Sequence, residues 1–296
     1  MVRSTTVGSR ISTAVVYVLM ACIAILSLAP IWYTAATSFS DKAAAAAGNV
    51  TFWPIGFNLI SYHTILGDSN FLHAFWTSVK RVLLGCTINF VLTVLMAYPL
   101  SKENYEFRFR HPYMWFLVFT MLFSGGTIPL YIVVKELHLF NSIWSLVLPT
   151  AVPIFNIILL LNFFRSIPKE LGEAGEMDGA GPWYMLLKVY MPLSMPALAT
   201  VTLFSVVNHW NAFFDGMIYM RSIDKYPLQT YIQQLVVQVN TQRISSDPNQ
   251  LDLIAKMSNK TLNASKIVIS MVPVLAIYPF LQKYFIHGIM LGSVKE

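Results

Sequence analysis

Asn208, His209, Trp210 and Asn211 stand side by side in a run that is otherwise apolar. Two amides, an imidazole and an indole are suited to holding a polyhydroxylated solute. The rings offer apolar faces, and the amides offer both donors and acceptors. The same groups can equally bond one packed helix to another in an apolar medium, so both roles stay open. Covalent chemistry has fewer candidates. The chain has no Gly-x-Ser-x-Gly, no His-Glu-x-x-His and no Gly-x-x-x-x-Gly-Lys-[Ser/Thr] phosphate loop. Cys22 and Cys86 lie inside apolar runs, and no Cys/His cluster has metal-ligand spacing. They read as small buried hydrophobes. No catalytic, cofactor-binding or metal residue is expected on this chain.

A second set of polar residues sits between two apolar stretches. Residues 166–196 read SIPKELGEAGEMDGAGPWYMLLKVYMPLSMP. Pro168 can open a helix, because the first turn has no use for its missing N–H. Glu170 and Glu173 then fall near the positive end of the helix dipole. Leu171, Ala174, Gly175 and Asp178 share one face by their i, i+3, i+4, i+7 spacing. Gly179 can end the helix in a left-handed cap. Gly181-Pro182 starts a second short helix over Trp183–Tyr190, which Pro192 should halt. The pattern predicts two short helices meeting at a sharp bend, one with a small-residue face open to a close partner.

The elements that position these groups follow from composition. Of the 296 residues, 56% are hydrophobic and 11% charged, where a soluble domain is about a quarter charged. Such a chain suits lipid as solvent. Six stretches approach the roughly 20 apolar residues needed to cross the hydrocarbon: 14–37, 79–100, 113–134, 143–164, 193–218 and 264–285. Pro129, Pro149, Pro153, Pro273 and Pro279 fall in these helices and are expected to kink them. The reading is an all-α, polytopic membrane protein with six transmembrane helices. Residues 1–13 form an N-terminal segment, 14–37 the first span and 38–75 an outer loop. A core of five spans covers 76–287, and 288–296 form a tail. The core includes the polar loop 165–192 and an outer segment 219–263, with a short helix expected near Tyr231–Val239. With both termini in the cytoplasm, inner segments hold ten of the 20 Lys and Arg residues. Short outer segments hold Lys42, Lys80, Arg81 and Lys135. The positive-inside rule favours that orientation. The net charge of +6 comes without a basic stripe, so nucleic acid is not an expected partner.

Glu173-Ala174-Gly175, Asp178-Gly179-Ala180 and Met191-Pro192 resemble the EAA loop of ATP-driven importer permeases. That loop runs Glu-Ala-Ala, two residues, Asp-Gly-Ala, then Leu-Pro about a dozen residues later. Gly175 and Met191 depart from the pattern. Ala97-Tyr98-Pro99-Leu100-Ser101, Trp210-Asn211-Ala212-Phe213 and the ending Gln282-Lys283-Tyr284-Phe285, Gly288, Gly292-Ser293-Val294-Lys295 are similar to sugar permeases of the maltose-transporter type, smaller subunit. Phe123-Ser124-Gly125-Gly126 and Tyr226-Pro227-Leu228-Gln229 point to the oligosaccharide branch, including uronic-acid substrates such as alginate. The resemblance implies the type I permease fold of ABC importers in a bacterial cytoplasmic (inner) membrane. It implies a second permease, a dimeric ATPase that binds ATP and Mg on its own chains, and an extracytoplasmic solute-binding protein. Glu173, Ala174, Gly175, Asp178, Gly179 and Ala180 would make the ATPase contact. Asn208, His209, Trp210 and Asn211 are candidates for the solute path. An ion- or proton-coupled secondary transporter is the alternative. It would need ionisable groups at mid-membrane, where this reading places only His209.

Overall fold

A computed structural model describes residues 7–241 and 260–292. Parts of the expected segments, 1–6, 242–259 and 293–296, lie outside the described residues. The described chain is helical, without strands. Three helices are long and apolar enough to cross a membrane: Ile11–Ser38, Ser69–Ser101 and Lys260–Pro279. Three bent pairs meet the same test together, giving six spans when each pair is counted once.

By contacts the chain divides into two units, Met1–Asp68 with Gln234–Met271, and Ser69–Gln233 with Val272–Glu296. The first unit contains helix α1 (Val7–Ser38) and the loop that follows it. That loop folds back on the helix end. Trp53 packs edge-on against Trp32 at 5.8 Å, and the Trp32 indole donates to the Phe52 carbonyl. Phe39 stacks on Phe57 and Tyr62. Ser265 donates to the Ser38 carbonyl, Ser61 to Thr261, and Lys266 pairs with Asp68 at 3.7 Å. Hydroxyls and one ion pair thus hold together surfaces that lipid would otherwise leave without a driving force for association.

The second unit is built on α2 (Ser69–Ser101). Its buried face carries Ser78, Arg81, Gly85, Asn89, Thr93 and Ala97 at spacings of three or four. Leu83, Leu84, Val91 and Leu95 are exposed. The polar and small stripe faces protein and the aliphatic stripe faces outward, the reverse of a soluble helix. Next come α3 (Arg110–Leu122) and α4 (Thr127–Glu136), then α5 (Trp144–Thr150) and α6 (Ile154–Ser166). A hairpin follows, made of α7 (Lys169–Met177) and α8 (Pro182–Leu193), leading to α9 (Met195–Asn211). Two shorter helices follow, α10 (Phe214–Tyr219) and α11 (Leu228–Thr241), the latter belonging to the first unit from Gln234 on. The core joins Ala97, Tyr98, Leu160, Leu161, Phe164, Met185, Leu186, Tyr190, Leu198 and Val201. Helix α12 (Lys260–Gly292) carries Pro273 and Pro279 inside one continuous helix.

Three expected spans are broken. The expected helix over 113–134 stops at Leu122, and α4 leaves it at 111°. Gly126 has φ +85° with its N–H on the Ser124 hydroxyl, a turn a Cβ would disfavour. Pro129 lies in the first turn of α4, where it kinks nothing. The expected helix over 143–164 bends by 46° between Thr150 and Ile154, next to Pro149 and Pro153. The expected helix over 193–218 ends at Asn211 and restarts at Phe214. Pro192 does not halt the helix before it. Residues Met185–Tyr190 form a π-helical stretch and helical structure runs on to Leu193. The 84° turn comes at Ser194, whose N–H bonds Tyr190 and Met191 carbonyls. The short helix expected near Tyr231–Val239 lies within α11.

Candidate functional site

The hairpin 167–193 is fixed by its own backbone. Helix α7 ends in a Schellman motif: Ala180 N–H bonds Gly175 O at 2.9 Å and Gly179 N–H bonds Glu176 O at 3.0 Å. Gly179 holds φ +74°. Gly181 O accepts from Met185 N, with Pro182 opening the next helix. Gly172 is buried beside the Tyr190 hydroxyl, and a Cβ at Gly175 would strike the Met185 thioether. Glycine in place of alanine at 175 is therefore explained by close packing inside the hairpin.

The opposite face is open. Glu173, Ala174, Asp178 and Gly179 are exposed, and Gly175 and Ala180 are half-buried. Met177 is 88% exposed and Trp183 67%, with Leu171, Tyr184 and Leu187 also uncovered. Apolar side chains in such number on one polar loop mark a surface that meets something.

A recess of about 370 Å³ lies beside α7, lined by Lys102, Glu103, Glu106, Arg110, Arg165, Lys169, Glu173, Glu176 and Tyr190 among others. Arg110 Nε and Arg165 Nη2 both donate to the Leu100 carbonyl near the end of α2. Lys169 pairs with Glu103 at 2.8 Å. This hydrogen bond, with its charge, holds the Glu103 carboxyl below its usual range and the Lys169 ammonium above. Burial would lower the Lys102 ammonium, but its bond to Glu106 and the nearby tyrosines raise it overall.

A larger cavity, about 920 Å³, opens along α2, α5, α6, α9 and Tyr278. It is lined by Asn89, Thr150, Phe155, Asn156, Phe204, Ser205, Asn208 and His209. His209 Nε2 meets Asn89 Oδ1 at 2.9 Å, and Asn89 Nδ2 donates to the Thr150 carbonyl. Asn89 Oδ1 can only accept, so His209 carries its proton on Nε2. Asn156 donates to Ser205 and to the Val201 carbonyl. Phe155, Phe204 and Tyr278 leave ring surface exposed.

Of the four candidates for the path, Asn208 and His209 line this cavity. Trp210 is buried and packs on Phe75 at 5.9 Å, while Asn211 is exposed elsewhere. Four consecutive residues of a helix point four ways, so adjacency in sequence does not bring them together.

Sequence reasoning missed Arg81 and Asp215, which also line the cavity. Arg81 is 1% exposed and pairs bidentately with Asp215, Nη1 to Oδ1 at 3.1 Å and Nη2 to Oδ2. It also donates to the carbonyls of Ala212 and Leu146. Its place at the end of the apolar run suggested a surface charge. The signal that it is buried was its register with Ser78, Gly85 and Asn89 on one face. No group of three or more His, Cys, Asp or Glu residues is placed to hold a metal among the described residues.

A family model described as binding-protein-dependent transport system inner membrane component matches residues 80–216. A polygalacturonan/rhamnogalacturonan transport system permease protein, YtcP of Bacillus subtilis, is 34% identical over 97% of this chain and 99% of its own. Protein LplC of the same organism is 35% identical over 91% and 90%. A chain from the crystal structure of a bacterial ABC transporter that imports the acidic polysaccharide alginate superposes with TM-score 0.84. It shares 32% identity over 95% of this chain and 99% of that one.

Proposed function

Because the chain belongs to the family of binding-protein-dependent transport system inner membrane components, we propose that it is one of two permeases of an ATP-driven importer for oligosaccharides, acidic ones included. A second permease would complete the path. A dimeric ATPase, holding ATP and Mg on its own chains, would bind the hairpin, and a solute-binding protein would deliver cargo from outside. Both termini would then lie in the cytoplasm, with the hairpin on the same side.

The open face of the hairpin carries this reading. Glu173 and Asp178 offer charge to a basic partner, and Met177, Trp183 and Tyr184 offer apolar surface. Gly179 sets the angle between the two helices. A partner dimer that closes on binding ATP and reopens after hydrolysis would displace this hairpin, and the bundle would shift between two packings with different access. The exposed rings of Phe155, Phe204 and Tyr278, with the amide of Asn208, suit sugar rings and hydroxyls. The likeness to carriers of polygalacturonan and alginate supports solutes that bear carboxylates.

The test uses the chain expressed with its partner subunits. Glu173→Ala and Gly179→Asp should leave the permease pair monodisperse, release the ATPase from it and reduce oligogalacturonate uptake to background. Uptake at the native rate in both variants refutes the docking role. Uptake that proceeds with no ATPase chain present would instead favour an ion-coupled carrier.

A further inference from the structure

Lys102 lies just past the end of α2, and its ammonium sits in the corner formed by two adjacent aromatic rings. The centroid of Tyr98, on α2, is 5.5 Å away and that of Tyr190, on α8, is 5.3 Å away. Glu106 holds the ammonium from a third side at 3.0 Å. The two tyrosines meet edge to face at 5.1 Å, and Phe164 at the end of α6 packs edge-on to both, at 6.4 and 5.6 Å. The Tyr190 hydroxyl lies against buried Gly172 of α7. One lysine thus ties the hairpin to the end of the span whose buried face carries Asn89 and Arg81 at the large cavity.

The physics of this contact differs from that of the core around it. Aliphatic packing between α2 and α8 resists sliding through the interlock of side chains but adds no directional attraction. A cation held against two ring faces and a carboxylate resists displacement along each of those directions. It is also partly withdrawn from water, with its side chain 16% exposed. Net attraction there is stronger than for a solvated lysine, which agrees with its raised proton affinity.

We infer that Lys102 is a positioning residue, which converts movement of the 167–193 hairpin into movement of α2. The inference rests on the proposed ATP-coupled role and adds to it the side chain through which the motion reaches the cavity wall.

The experiment uses the assembled transporter in proteoliposomes, with Cys22 and Cys86 replaced by Ser and Asn208→Cys as the only thiol on this chain. A hydrophilic maleimide reports access to the cavity with and without trapping by ATP and vanadate, so no solute need be known. With Lys102 present, trapping changes the labelling rate. In Lys102→Met the complex assembles and hydrolyses ATP, yet the trapping-dependent change shrinks at least about fivefold, the low end of ordinary coupling between sites. Tyr190→Leu has the same effect, and Lys102→Arg restores the change. A full change in Lys102→Met overturns the inference. Failure of Lys102→Met to assemble also overturns it, because the lysine would then serve only the fold. If labelling does not respond with Lys102 in place and no ATPase co-purifies, the importer reading itself fails and takes the inference with it.

Discussion

Asp215→Asn should destabilise the protein far more than the loss of one exposed charge. Asn keeps the shape and can still accept from Arg81, but it leaves the guanidinium without a counter-charge. Arg81 is 1% exposed and the Asp215 side chain 23%, so water can compensate only at the Asp215 edge. Removing one partner of a buried pair costs about 3–5 kcal/mol. The remaining bonds from Arg81 to the carbonyls of Ala212 and Leu146 and the partial exposure of Asp215 bring the expectation to about 2–4 kcal/mol. For a chain of 296 residues that corresponds to roughly 3–6 °C in Tm. The assay is thermal unfolding of the purified permease, followed by intrinsic tryptophan fluorescence in detergent. The double variant Arg81→Met/Asp215→Leu separates charge from packing. With no charge left unpaired it should recover more than half of the loss. A single variant within 1 °C of the native protein, or a double variant no better than the single, would refute the argument that a buried, mutually dependent pair closes the break between α9 and α10.

Gly85→Ala should cost about 1–3 kcal/mol, because a Cβ there meets the rigid His209 ring and breaks its bond to Asn89. Gly181→Ala, with nothing within 4 Å of the added Cβ, should stay within about 0.5 kcal/mol; chemical denaturation of both variants checks the contrast. Gly179→Ala forces a side chain to φ +74° and should cost about 1–2 kcal/mol locally, seen as faster amide exchange at residues 175–180 with the global Tm almost unchanged. The Lys169–Glu103 pair is exposed, so Lys169→Ala should leave Tm unchanged at physiological salt. The Glu103 carboxyl is held low, so its contribution is present above the normal carboxylate pKa and is lost as pH falls through the lower folded value. The Lys169 ammonium is held high, so its contribution is lost only as pH rises through the raised folded value. The difference in Tm between Lys169→Ala and the native chain should therefore be flat through neutral pH, a null result that a large mid-range slope would contradict.

The hairpin was legible in the sequence because each of its instructions is local. Pro168, Gly179 and Gly181-Pro182 fix starts and a stop within a few residues, and the bonds they imply span five residues or fewer. The breaks in the spans were not legible for the same reason. Asn211–Phe214 is apolar enough to continue a helix. What holds it open comes from elsewhere: the Arg81 guanidinium on the Ala212 carbonyl, 131 residues away, and the Thr230 hydroxyl on the Phe213 carbonyl. Ser194 carries no sequence mark of an 84° turn. Pro192, which looks like a stop, falls just after a π-helical stretch that carries helical structure on to Leu193.

The same reasoning explains why the cavity was only half seen. In a soluble protein the apolar stripe of a helix identifies its buried face. In α2 that rule points outward, since Leu83, Val91 and Leu95 are exposed and the inward stripe holds Arg81, Gly85, Asn89 and Thr93. Lipid accepts aliphatic side chains without cost, so polar and small residues are what require a protein neighbour. Applied to α9, the same criterion selects Ser205 and His209, four residues apart on one face, over the consecutive run 208–211. Both are buried at the cavity wall. The argument also sets its own check. Cysteine substitutions at 83, 91 and 95 should be quenched by lipid-borne nitroxides through an attached fluorophore, and those at 205 and 209 should not. Equal quenching on both faces would mean that the polar stripe is not what packs inward.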